Sequence, residues 1–185
     1  MTVVVYTQPS TEPISLTEAK LHLRVDVSDD DTLITALIKA ARMAAEQETR
    51  RALITQTIDA YFDAFDDEIL LPPISAITAI TYVDTAGATQ TLASDQYAAD
   101  IYSEPARVIP AYGAAWPATR EQQNAVKLRC TAGWANAAAV PETIKAWMLL
   151  QIGHWYANRE AAAGKLEPLP FTDSLLDPYR VQRAI

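Results

Sequence analysis

Residues 141–160 read PETIKAWMLLQIGHWYANRE, and the way this stretch is read decides how the rest of the chain is arranged. Pro141 is preset for a first helical turn, and Glu142 follows it near the positive end of the helix dipole. Ile144, Trp147, Met148, Ile152 and Trp155 then recur at helical spacing, while Leu149, Leu150 and Tyr156 add further apolar faces. The apolar band is wider than one core-facing stripe. A helix of this kind is either the centre of its own core or a helix shared with another subunit.

On the N-terminal side, Ser15-Leu-Thr-Glu18 has the form of a capping box and opens a short helix through Leu16, Ala19, Leu21, Leu23 and Val25. The run Asp29, Asp30, Asp31 precedes a longer helix whose Leu33, Leu37, Ala40, Ala41 and Ala44 follow one side, with Ile34, Ile38 and Ala45 beside them. Three aspartates suit the positive end of that dipole. A calcium loop would need alternating oxygen ligands, a turn glycine and a distal glutamate, and the spacing here supplies none of them. The alanines permit close helix approach.

From Thr55 the pattern changes to strands. TQTIDAYFDAF alternates Ile58, Ala60, Phe62 and Ala64 against Asp59, Tyr61 and Asp63, the period of a half-buried strand. Further short strands are expected over 68–71, 77–83, 89–92, 97–101, 106–109 and 125–131, punctuated by Pro72, Pro73, Gly87, Pro105, Pro110 and Pro117. After the late helix, AAAGKLEPLPFTDSLLDPYRVQRAI is broken by prolines, and its apolar residues have no period of their own. The expected fold is α+β, mainly α. It is a helical bundle (about 15–53 and 141–163) with an inserted small antiparallel β subdomain (about 55–134) and an extended C-terminal arm (about 165–185). All of it forms one domain over 1–185.

Composition narrows the function. Half of the 185 residues are hydrophobic and 21% are charged, as in a globular domain. The longest apolar run, 146–152, is interrupted by Gln151 and falls far short of the roughly 20 residues of a membrane span. The N-terminus MTVVVYTQPS lacks the basic and apolar regions of a signal peptide, so the protein is expected to stay on the cytoplasmic side. A net charge of -8 disfavours a protein that grips phosphate backbones, but leaves room for one that nucleic acid merely passes. Cys130, the single cysteine, lies in a strand-like run and reads as a small buried thiol.

A search for chemistry gives little. The five glycines form no phosphate loop, G-x-S-x-G is absent, and His22 and His154 lie on different helices. The pairs Asp59/Asp63 and Asp66/Asp67 read as solvated acidic surface, since acid and base work needs carboxylates in different environments across a cleft. Trp116, Trp134, Trp147 and Trp155 read as core or interface anchors. No catalytic, cofactor-binding or metal-binding residue is identified, and the protein is expected not to be an enzyme. The alternative is a small cytoplasmic hydrolase using carboxylates of the β subdomain.

Taken in order, SLTEAKLHLRV (15–25), DDDTLITALIKAARMAAEQETRRALITQT (29–57), Trp116-Pro117, Ala132-Gly-Trp134, VPETIKAWMLLQIGHWYANRE (140–160) and LLDPYR (175–180) carry a resemblance. The chain resembles the tailed-phage head-tail connector family, more narrowly the gp6-like connectors and the phiE125 gp8 type, from Ile14 to Arg180. The resemblance implies a structural virion adaptor without cofactor, working in a phage, a prophage or a gene transfer agent. Such an adaptor forms a dodecameric ring beneath the portal protein, closes the filled head and docks the next connector or tail protein. DNA crosses its channel without specific binding, no membrane is involved, and an acidic lumen would repel the DNA. It resides at the head-tail interface of the virion after assembly in the host cytoplasm. On this reading Trp147, Leu150, Trp155, Tyr156 and Arg159 build the subunit contacts, with simple intrachain core as the other option. Leu175, Leu176, Pro178, Tyr179 and Arg180 form a docking arm.

Overall fold

The computed structural model describes residues 1–158 and 173–181. They divide into two compact units: one of Met1–Ser10, Thr55–Gly133 and Val181, the other of Thr11–Ile54 with 134–158 and 173–180.

The helical unit contains α1 (Leu16–Leu23), α2 (Asp31–Thr49) and α3 (Glu142–Ala157). The capping box at α1 forms as expected: the Glu18 amide donates to Ser15 Oγ (3.1 Å) and the Ser15 amide to Glu18 Oε2 (2.7 Å). These bonds hold the Glu18 carboxyl below its usual range. Both α1 and α2 end on an arginine in the left-handed region, Arg24 (φ 57°) and Arg50 (φ 56°). The aspartates at the start of α2 tie it to its neighbours as well as matching its dipole. Lys20 Nζ of α1 donates to Asp31 Oδ1 at 2.6 Å, and the Tyr156 hydroxyl of α3 donates to Asp30. Gly153 of α3 faces His22 of α1, where a Cβ would lie in ordinary contact, 3.4 Å from His22 Nε2.

One apolar core fills this unit, with Ile34, Ile38, Ala41 and Ala45 of α2 against Ile144, Trp147, Met148 and Ile152 of α3. Arg42 is buried at the margin, where its Nε donates to Glu12 (2.8 Å) and its Nη1 to Glu46 (2.7 Å). Burial raises the Glu46 carboxyl, opposed by the Leu53 amide and by Arg42.

The other unit is made of two antiparallel sheets. Strands β1 (Thr2–Thr7), β2 (Gln56–Phe62), β4 (Ala76–Val83), β5 (Thr89–Leu92) and β8 (Val126–Ala132) form one, in the order β1-β2-β8-β4-β5. Strands β3 (Ile69–Leu71), β6 (Tyr97–Asp100) and β7 (Ala106–Pro110) form the other, in the order β3-β7-β6. Register places Ile58 opposite Cys130, Ala60 opposite Leu128 and Phe62 opposite Val126, so these side chains share one buried face. Ile69, Leu71, Ala106 and Val108 supply the buried face of the small sheet. Cys130 is fully buried, and loss of solvent pushes its thiol up to about 12, so it is inert packing, as its strand position suggested.

Two expectations about fold class need correction. The chain is α+β but not a mainly α bundle: among the described residues helix and strand are nearly balanced, at 33% and 29%. Long helices announce themselves by a 3.6-residue period, whereas eight strands of three to eight residues each leave only short signals. The large sheet also takes in β1, which lies outside the expected insertion. The described part of the C-terminal arm is not extended either. It forms two 3₁₀ turns, Asp173–Leu175 and Asp177–Tyr179, and Leu176 between them is fully buried in the helical core.

Candidate assembly surfaces

The wide apolar band of α3 is covered mostly within its own unit. Trp147 is 3% exposed and belongs to the core, while Leu150, Trp155 and Tyr156 are half-buried. Trp155 and Tyr156 lean on the core's margin. Arg159 lies outside the described residues. Three neighbours share the cover, α1, α2 and the C-terminal turns, and so a helix apolar on several sides can still be internal.

The C-terminal residues are held by specific bonds. Arg51 Nε donates to the Tyr179 carbonyl (2.9 Å), Thr143 Oγ1 to the Tyr179 hydroxyl (3.2 Å), and Arg180 pairs with Glu48 (3.2 Å) and Asp177 (3.1 Å). Leu176 is buried, Leu175 and Tyr179 are half-buried, and Pro178 and Arg180 are exposed. The segment therefore presents Pro178 and Arg180 on a fixed support. Arg51 also lies over the Trp134 ring at 5.4 Å, and the Trp134 amide donates to the Leu53 carbonyl (3.3 Å).

Four carboxylates of the sheet unit, Asp59, Asp63, Asp84 and Asp100, are engaged in structure. Asp59 was expected on a solvated face, but it is 3% exposed, and both its oxygens accept from Arg129 at 2.7 Å. The Arg129 guanidinium lies 3.5 Å from the centre of the Tyr6 ring, which covers the pair. Those bonds hold Asp59 well below its usual range and push Arg129 up. Asp63 accepts from the Asn124 amide (2.8 Å). Asp84 and Asp100 are lowered by bonds from their own turns, chiefly Gln90 and Ser103. A general acid needs the opposite shift. Trp116 stacks on Phe65 at 4.7 Å and donates to the Asp66 carbonyl, an anchor for its loop.

The large open apolar side chains lie elsewhere. Val3, Val4, Val5 and Tyr6 of β1 are 38–61% exposed, and Leu21, Val27, Met43, Tyr102 and Tyr112 are exposed singly. Sequence reading missed β1 because an edge strand open on both faces shows no alternation. The signal available was its content of Val, Thr and Tyr.

Residues 13–98 match the family described as Phage gp6-like head-tail connector protein. No curated protein matches the chain. Among solved structures the chain is similar to a chain from the neck of an empty GTA particle computed with C6 symmetry. The TM-score is 0.83 at 23% identity, covering 100% of this chain and 98% of the other. It is similar over the same shares to a chain in the virion of a native gene transfer agent (GTA) particle, with TM-score 0.82 and 22% identity. A third match is to the neck of a native GTA particle computed with C12 symmetry, with TM-score 0.79, 23% identity and the same coverage. At these identities the likeness is one of fold. The likeness to the Phage gp6-like head-tail connector family thus covers residues 13–98, and over its full length the chain has the fold of those particle subunits.

Proposed function

We propose that the protein is a structural virion adaptor without catalytic activity, which forms a dodecameric ring under a portal protein at the head-tail interface. The ring closes the DNA-filled head and offers a docking face to the next connector or tail protein. The observation that carries this reading is the match, over 100% of this chain, to a neck subunit computed with C12 symmetry, joined to the connector-family match at residues 13–98. A closed ring of identical copies needs two different contact faces on each subunit. For those contacts we assign Leu150, Trp155 and Tyr156, with Arg159 and with Trp147 as their inner support, to the neighbouring copy. Leu175, Leu176, Pro178, Tyr179 and Arg180 are assigned to the portal. Leu176 would act as the anchor that holds Pro178 and Arg180 in place, which lowers the ordering cost of docking.

DNA would pass without specific binding, since a chain of net charge -8 lining a channel repels phosphates. The hydrolase alternative is disfavoured by Asp59, Asp63, Asp84 and Asp100 being engaged in structural bonds. The test is native mass measurement of the protein alone and with its portal protein. A portal complex carrying a full ring of copies is expected. A protein that stays unbound with the portal present would sink the proposal.

A further inference from the structure

Helix α2 has a long face that the described residues leave uncovered. Thr32, Thr35, Ala36, Lys39, Ala40 and Met43 recur at helical spacing and are all exposed, on the side away from the buried Ile34, Ile38, Ala41 and Ala45. At 1.5 Å per residue they span roughly 16 Å. Alanines and threonines keep this face low, and Met43 stands out from it at 61% exposure. Its charge comes from Lys39, which has no ion-pair partner among the described residues. Glu46, the next acid along the helix, is turned to Arg42 and to the Leu53 amide. The face is therefore cationic in a chain of net charge -8.

The sheet unit carries the complementary charge. Between Thr55 and Gly133 acids outnumber bases, and of the bases Arg107 and Arg129 are already paired, with Glu68 and Asp59. Asp66 and Asp67 stand exposed on the turn between β2 and β3, and their side chains have no partner among the described residues. The turn itself is braced. Phe65 stacks on Trp116 at 4.7 Å and meets the Tyr82 ring edge-on at 5.7 Å, while Trp116 Nε1 donates to the Asp66 carbonyl at 2.8 Å. A turn fixed in advance loses little further freedom when it docks.

We infer that the outer face of α2 in one copy receives the Asp66–Asp67 turn of the next, with Lys39 against the two carboxylates and the alanines leaving room for close approach. This inference rests on the connector reading above and adds one contact to it. The two surfaces are different, as a closed ring of identical copies requires. Charge selects the occupant. Two α2 faces meeting about a two-fold axis would set Lys39, near the middle of the face, against its own copy, a repulsive contact that would also stop at a dimer. A phosphate backbone is held by clustered cations, and on this face Lys39 stands alone.

Charge reversal on each side, and then on both, tests the contact. Lys39→Glu, and separately Asp66→Lys with Asp67→Lys, are co-expressed with the portal protein, and the complexes are weighed by native mass measurement. All three positions are exposed, so each free variant is expected to unfold as the wild type does. Each one-sided variant is expected to lose the portal-bound ring, and the protein carrying all three changes to regain it, because attraction is restored with the signs exchanged. Full rings from either one-sided variant, or none from the combined one, would overturn the inference while wild-type rings kept the connector reading intact. Rings of normal mass from Lys39→Glu in particles that lose their DNA would assign the face to nucleic acid and overturn it as well. Wild-type protein that forms no ring with its portal would overturn both.

Discussion

Two segments of this chain, α3 and β1, exchange the roles that their composition suggests. The helix carries the larger apolar side chains, yet its Trp147, Met148 and Ile152 are buried within their own unit. The six-residue strand is short and lies at the very start, yet all of it is open to solvent. Apolar content therefore does not locate a contact surface; what matters is whether the rest of the fold already covers it. α3 is covered from three sides, while among the described residues β1 pairs with β2 alone.

The largest effect expected on this contrast comes from Trp147→Ala. It removes a core indole and should cost about 3–5 kcal/mol of stability in the free protein, measured by denaturant unfolding. A loss under about 1 kcal/mol would mean that α3 is not an internal helix. Leu176→Ala follows, at about 2–5 kcal/mol for emptying a fully buried leucine site. Unchanged unfolding there would return the C-terminal segment to the status of a free arm.

The strand's attachment has a pH signature. Arg129 holds Asp59 below its ordinary 3.8, so the pair contributes stability that is complete above that value and lost as pH falls through the depressed one. Acid unfolding of Asp59→Asn should therefore be flatter below about pH 4 than that of the wild type. Equal slopes would separate Asp59 from the support of β1 and β2. The smallest effect is expected at β1 itself: Val4→Thr keeps a β-branched side chain at an exposed position and should shift stability by no more than about 0.5 kcal/mol.

Much of this organisation was legible in the sequence. Ser15 and Glu18 specify their cap by local spacing, and seven of the eight strands, β2 to β8, follow from short β-branched runs between prolines and glycines. What was hidden depends on partners far along the chain. Tyr179 is fixed by Arg51, 128 residues away, and Asp59 is drawn into a buried pair by Arg129, 70 residues away. Neither leaves a periodic trace. The balance of the fold was misjudged for a related reason, since long helices outweigh short strands in any reading by period. For the candidate surfaces, sequence placed Trp147 and Leu176 among contact residues because it registers apolarity, whereas burial depends on what packs against them.

The central claim is that α3 is already covered within the subunit whereas β1 is open to solvent there. Hydrogen–deuterium exchange of the free protein tests it directly. The account predicts slow exchange across Glu142–Ala157 and fast exchange at those amides of Thr2–Thr7 that do not bond to β2. Fast exchange across the helix, or protection of every amide in Thr2–Thr7, would contradict it.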